Sequence, residues 1–147
     1  MRTSAIASAL VAASLLLWLA GGPAGSGTCG DEDGDGVSLC TGAPDNCALV
    51  PNGPLLGTAG CISQEDGDAD GYGNACDTDV NNDGATGLDD VGLIFDQAVI
   101  GGTDPAFDFN CDGATGLDDL GRAFDDAIAS VLPGPSQLVC AGVIPCP

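Results

Sequence analysis

Apolar positions along the chain fall into three different patterns. From Ala5 to Ala20 the chain runs without a charge. From Cys29 to about Thr78 no period survives, and Asp, Gly and Cys interrupt every short apolar run. Further on, Val91, Ile94, Phe95, Ala98 and Val99 recur at i, i+3, i+4, i+7 and i+8, and Leu120, Ala123, Phe124, Ala127 and Ile128 repeat that spacing 29 residues later. That is one apolar stripe on each of two short helices. Neither helix can bury its stripe alone, so the two are expected to pack on each other as a minimal core. Thr86 and Thr115, each three residues before an Asp, read as N-caps. Gly101-Gly102 stops the first helix and Pro133 follows the second.

The opening run follows Met1-Arg2 and leads into Gly21-Gly22-Pro23-Ala24. A positive start, an apolar middle and small residues for cleavage make residues 1–24 a secretory signal peptide. The run is short for a membrane span and no basic cluster follows it, so no membrane insertion is expected after cleavage. Export implies an oxidising compartment, in which eight cysteines are read as disulfides. The remainder divides into an irregular segment (29–78), a duplicated segment (79–129) and a Pro-rich tail (130–147) carrying Cys140 and Cys146.

Charge narrows the functions available. The chain has 22 acids, two basic residues, no His and a net charge of −20. With Arg2 in the leader, Arg122 is the single base left. Nucleic acid and anionic membranes are poor partners for such a chain. Without His there is no Ser-His-Asp or Cys-His chemistry and no His zinc ligand, and no C-x-x-C pair offers a zinc site. Only four Phe and Tyr72 are aromatic outside the leader, and Gly and Pro are frequent, so hydrophobic burial alone does not suffice and a metal or disulfides must help. Paired carboxylates raise a glycosidase. The acids lie in loops, however, and no segment is long enough to build a cleft. A non-catalytic chain with no small-molecule substrate is therefore expected.

The acids fall at set places. Asp79-Val-Asn-Asn-Asp-Gly-Ala-Thr-Gly-Leu-Asp-Asp90 aligns with Asp108-Phe-Asn-Cys-Asp-Gly-Ala-Thr-Gly-Leu-Asp-Asp119. Asp79, Asn81 and Asp83 take the first, third and fifth places, Gly84 the sixth and Asp90 the twelfth; Asp108, Asn110, Asp112, Gly113 and Asp119 do the same. This is the ligand spacing of a calcium loop. Calcium takes about six to eight oxygens, and alternate residues of a tight turn converge on one point. Gly allows the bend that turns the next carbonyl, of Ala85 or Ala114, towards the ion. The closing Asp sits in the first helical turn, where negative charge suits the helix dipole. No apolar helix enters either loop, so these are loop-plus-exiting-helix (F-hand) units. Calcium is the expected cofactor.

Residues 79–129 resemble a dockerin, two duplicated loops of the form D-x-N-x-D-G-x-x-x-x-x-D, each followed by one helix. The resemblance implies Ca2+ ligation by the residues just named and docking to a cohesin-like protein partner in extracellular polysaccharide breakdown. Many dockerins carry hydroxyl residues before the closing Asp and basic residues on the helix. Here Leu88-Asp89 and Leu117-Asp118 stand at the first place, and the helices carry Asp96-Gln97 and Asp125-Asp126. Residues 64–77, with Asp66, Asp68, Asp70, Gly71, Tyr72, Cys76 and Asp77, resemble a thrombospondin type 3 repeat, D-x-D-x-D-G-x-G-x-x-C-D, and Asp45-Asn46-Cys47 with Pro51-Asn52 resembles that family's D-N-C segment. Asp31, Asp33, Asp35 and Gly36 begin a further loop, with three extra residues before Asp45. That likeness implies ions wrapped by an irregular, disulfide-stapled chain, and Asp77 running into Asp79 suggests a continuous ion-bound rod. Eight cysteines allow 105 pairings. Cys29–Cys40, and Cys47–Cys61 or Cys47–Cys76, are expected in the first segment, with Cys111, Cys140 and Cys146 tying the tail to the second loop or to itself. The expected fold is small and metal- and disulfide-stabilised, an irregular calcium-wrapped segment followed by two loop-helix units packed as an antiparallel pair. The expected role is a secreted docking module, or else a structural spacer or adhesion segment at the cell surface.

Overall fold

A computed structural model of the chain describes residues 30–38, 42–57 and 60–146. The expected signal peptide (1–24) and the expected Cys29–Cys40 pair lie outside the described residues. Among the described residues two helices carry the regular structure, α1 over Leu88–Ile100 and α2 over Leu117–Ala129. Three single 3-10 turns, Pro54–Leu56, Asn74–Cys76 and Pro105–Phe107, punctuate the rest. The one β pairing among the described residues is an isolated bridge between Ser38 and Ala43.

Both helices begin where the repeat places them, but not by the expected cap. The N-caps are Gly87 and Gly116, not Thr86 and Thr115. The carboxylate three residues into each helix satisfies the cap instead: Gly87 N–H donates to Asp90 Oδ2 (2.7 Å) and Gly116 N–H to Asp119 Oδ2 (2.8 Å). The threonines serve a different purpose. Thr86 N–H donates to the Val131 carbonyl just past α2, and Thr115 N–H to the Gly102 carbonyl just past α1. Each loop thus grips the chain leaving the other helix. Gly101 ends α1 in a left-handed conformation, and Ser130 does so for α2.

The helices pack on each other, and the core they share is smaller than the stripes imply. Ile94, Ala123 and Phe109 are fully buried, with Val80, Val91, Phe107 and Leu120 packed around them. Phe109 comes from the second loop, not from a helix. The other half of each stripe stays outside: Phe95, Val99, Phe124 and Ile128 are all about half exposed or more. Gly92 and Gly121 sit inside the helices, where Gly costs about 1 kcal/mol relative to Ala.

Residues 30–78 hold together by other means. Cys47, Cys61, Ala75 and Cys76 form a small sulfur-rich core beside a buried polar network. Asn46 N–H donates to Gln64 Oε1 (2.6 Å), Asn52 Nδ2 to Asn46 Oδ1 (2.7 Å), and Asn52 N–H to Asp35 Oδ2 (2.9 Å). Disulfides join Cys47 to Cys76, Cys61 to Cys111 and Cys140 to Cys146. Of the alternatives for Cys47, the partner is Cys76 and not Cys61. Cys111 pairs with Cys61 and not with the tail, which closes on itself.

That Cys61–Cys111 bond also overturns the rod. It ties the first segment to the second loop. Asn74 Nδ2 donates to the carbonyls of Pro105 (2.6 Å) and Asp108 (3.0 Å), and Arg122 donates to the Ala75 carbonyl. Gly67 makes room for this: a Cβ there would lie 2.4 Å from the Ala106 nitrogen. The tail then folds back from α2 onto the first segment, through Gly134 N–H to the Cys76 carbonyl, Gln137 N–H to Asp45, Gly142 N–H to Asp70 and Cys146 N–H to Ala69. The chain doubles back because short loops with irregular exits carry no axis that would keep it straight. Among the described residues no helix is long and apolar enough to cross a membrane.

Candidate metal sites

One backbone arrangement occurs four times. Counting from Asp31, Asp66, Asp79 or Asp108, the residue three places on is left-handed: Gly34 (φ 79°), Ala69 (62°), Asn82 (59°) and Cys111 (56°). The residue five places on is left-handed again, and always Gly: Gly36, Gly71, Gly84 and Gly113, with φ between 92° and 100°. Only Gly adopts this freely, so its recurrence marks a required bend. In each loop the first Asp accepts the N–H of that Gly: from Gly36 (3.1 Å), Gly71 (2.9 Å), Gly84 (2.7 Å) and Gly113 (2.8 Å). The loop at Asp31, which its sequence marks as the weakest match, has the same turn as the other three.

The acids are placed differently in the two halves. Asp31, Asp33 and Asp35 bring carboxylate oxygens within 4.8 Å of one another, as do Asp66, Asp68 and Asp70. Either triad could hold a metal ion. Cys61, Glu65 and Cys111 also converge, but both sulfurs are spent in a disulfide. In the helical half Asp79, Asp83 and Asp90 do not form such a triad, nor do Asp108, Asp112 and Asp119. Asp79 accepts from Asp83 and Gly84 N–H. Asp90 bridges from α1 to Asn81 N–H (3.1 Å) and Gly87 N–H; Asp119 bridges from α2 to Phe109 N–H (2.8 Å) and Gly116 N–H. Asp90 and Asp119 are fully buried. The Asn81 and Asn110 amides donate to Asp89 (2.9 Å) and Asp118 (2.6 Å). Ala85 and Ala114 are exposed at their turns. Tyr72 N–H donates to Asp70 Oδ1 (2.8 Å), and its ring lies against Gly134 of the tail.

Crowding leaves these carboxylates short of compensation. Burial, with Asp35, Asp45 and Asp31 adding negative charge, holds Asp33 at about 6 against an ordinary 3.8. Asp70 rises to about 6 through burial and the charges of Asp68, Asp66 and Asp79. Asp77 rises to about 8, mostly through burial, although the Asp79 N–H partly offsets it. Burial also raises Asp45, Asp68 and Asp90. Asp33 Oδ2, Asp45 Oδ2 and Asn81 Oδ1 are buried oxygens with no hydrogen-bond partner. Unpaired buried acceptors are costly, and a hard cation would satisfy them. The donor set therefore fits a metal such as calcium, all oxygen and mostly anionic.

Asp45 is a candidate ligand that the spacing missed. It is 1% exposed, and its charge is felt by Asp33. The three-residue insertion before it hides its place in the loop, although it heads the Asp-Asn-Cys motif.

A second feature lies on the helices. Leu88, Val91, Gly92 and Phe95 of α1 line a groove with Leu117, Leu120, Gly121 and Phe124 of α2, each pair offset by 29 residues. It is an open, apolar groove of about 480 Å³. Leu88 and Leu117 are 73% and 80% exposed at its ends. No family model, no curated protein and no solved structure matches this chain.

Proposed function

We propose that the chain is a secreted, non-catalytic, calcium-dependent docking module. The observation that carries the calcium reading is the fourfold loop, with its left-handed third and fifth steps and its acids at alternate places. Asp31, Asp33, Asp35 and Asp45 would hold one ion, and Asp66, Asp68, Asp70 and Asp77 a second. Asp79, Asn81, Asp83 and Asp90, with the Ala85 carbonyl, would hold a third. Asp108, Asn110, Asp112 and Asp119, with the Ala114 carbonyl, would hold the fourth. The ion supplies what the small core lacks: it offsets crowded charge and ties distant segments together. Because the unfolded chain cannot gather these ligands, ions that bind the fold stabilise it by mass action. The exposed apolar groove supports docking, since a contiguous apolar patch on a highly charged chain marks an interaction surface.

Calcium titration followed by circular dichroism and melting temperature tests this. Helix content and melting temperature rise with calcium and fall with a chelator; if neither moves, the reading is wrong. The structural-spacer reading is favoured by one observation, the clamping of both halves by Cys61–Cys111 and the tail. It requires no partner for the groove, so binding of a cohesin-like protein that depends on Leu88 and Leu117 counts against it.

A further inference from the structure

We infer that the groove between α1 and α2 receives an apolar ridge whose flanks carry Lys or Arg, on a partner protein. The inference rests on the docking reading and adds the partner's chemistry. Three observations lead to it.

The first is the pair of helix-interior glycines. Glycine is unfavourable in a helix, so one expects something to require it. No packing within the chain does: a Cβ at Gly92 or at Gly121 would meet no atom within 4 Å beyond its sequence neighbours and its own helix backbone. The space they leave opens into the groove, at equivalent places in both repeats. Neither glycine has a positive φ to account for it. The floor of the groove is kept low for a surface outside the chain.

The second is the rim. Asp89 and Asp96 follow Leu88 and Phe95 by one residue, so each lies about 100° further round α1, beside the groove. Asp118 and Asp125 stand in the same relation to Leu117 and Phe124 on α2. All four are exposed. No base among the described residues balances them: Arg122 is turned to the Ala75 and Phe109 carbonyls and to Asp126. An apolar floor between acidic flanks complements an apolar ridge between basic ones.

The third concerns a second copy of this chain. It would bring the same four acids against these four, with no free base to meet them. Like charges facing across an interface oppose association, so self-pairing through the groove is disfavoured.

The test is a selection against the calcium-loaded, oxidised full chain. The probe is a displayed three-helix scaffold library with apolar residues at the centre of one face and any residue at its rim. Binders blocked by Gly92→Ala/Gly121→Ala are sequenced. That variant is expected to melt no lower than wild type, since Ala favours helix, while filling the groove floor. Rim positions enriched in Lys and Arg are the expected result. Asp96→Asn/Asp125→Asn, which lies away from every loop, should then weaken these binders roughly tenfold, and raising salt from about 0.05 to 0.5 M should do likewise. Groove binders with neutral or acidic rims would overturn the inference and leave docking standing. If every selected binder is indifferent to the filled groove, both fail. A calcium-loaded dimer in sedimentation that Gly92→Ala/Gly121→Ala dissolves would overturn the inference in favour of a second copy.

Discussion

Residues 30–78 and residues 79–129 build the same loop in different surroundings. In the first half the third place is Asp33 or Asp68, three carboxylates converge, and the loop leads into irregular chain. The structure there is closed by a network of Asn46, Asn52 and Gln64 and by the Cys47–Cys76 bond. In the second half the third place is Asn81 or Asn110, and the loop runs into a helix whose first turn returns a buried carboxylate, Asp90 or Asp119. A bend dictated by Asp and Gly is thus independent of the structure it leads into. The exit decides how the loop is secured: by polar cross-links and sulfur where the exit is coil, by a helix terminus where it is a helix.

Substitutions can break this comparison one half at a time. The largest effect is expected from Phe109→Ala, which empties the centre of the helical core. It should cost about 3–5 kcal/mol, read as a lower melting temperature in calcium with loss of helical signal. Cys47→Ser/Cys76→Ser strikes the other half and should cost about 2–5 kcal/mol. Its helical signal should outlast the first half, because the helices keep their own core of Ile94, Phe109 and Ala123; hydrogen exchange by residue separates the two outcomes.

Removing an ion ligand sharpens the contrast. Asp83→Ala or Asp112→Ala should act as a folding lesion at millimolar calcium, with helix lost, since those loops run directly into α1 and α2. Asp68→Ala should lower the number of bound ions while leaving more of the helical signal. Equal helix loss in all three variants would mean that the halves do not differ as described.

Acidity gives a smaller, ion-free test. The folded values of Asp33, Asp70 and Asp77 lie above the ordinary 3.8. Their protonated forms therefore favour the fold. That contribution is present in full below an ordinary carboxylate's range and is lost as pH rises through about 6 and then about 8. In chelator, the melting temperature should be higher at pH 5 than at pH 8, and a flat profile would contradict the crowding. The smallest effect is expected from Leu88→Ser/Leu117→Ser, within about 0.5 kcal/mol of wild type, because both side chains face solvent.

Much of the fold is legible in the chain. The 29-residue repeat locates both helices, because liganding places and apolar stripes recur together. The stripes do not say how much of each face is covered. Periodicity tells which residues share a face and leaves open what lies against it, so Phe95 and Phe124 read as core while Phe109, outside any period, does not. Thr86 reads as a cap because two aspartates stand side by side: Asp89 lies three residues after Thr86, and Asp90, which satisfies the cap, lies three after Gly87. The Cys61–Cys111 bond is out of reach of the sequence, which favours pairs close along the chain, whereas the fold-back this bond marks depends on contacts between loops.

The loops themselves remain the central matter, and counting ions tests them most directly. Native mass spectrometry of the oxidised protein, titrated with calcium, should reach four ions per chain, one for each loop sharing the double left-handed turn, and the ion-bound form should be the more compact. No saturable uptake, or uptake that leaves compactness unchanged, would contradict it.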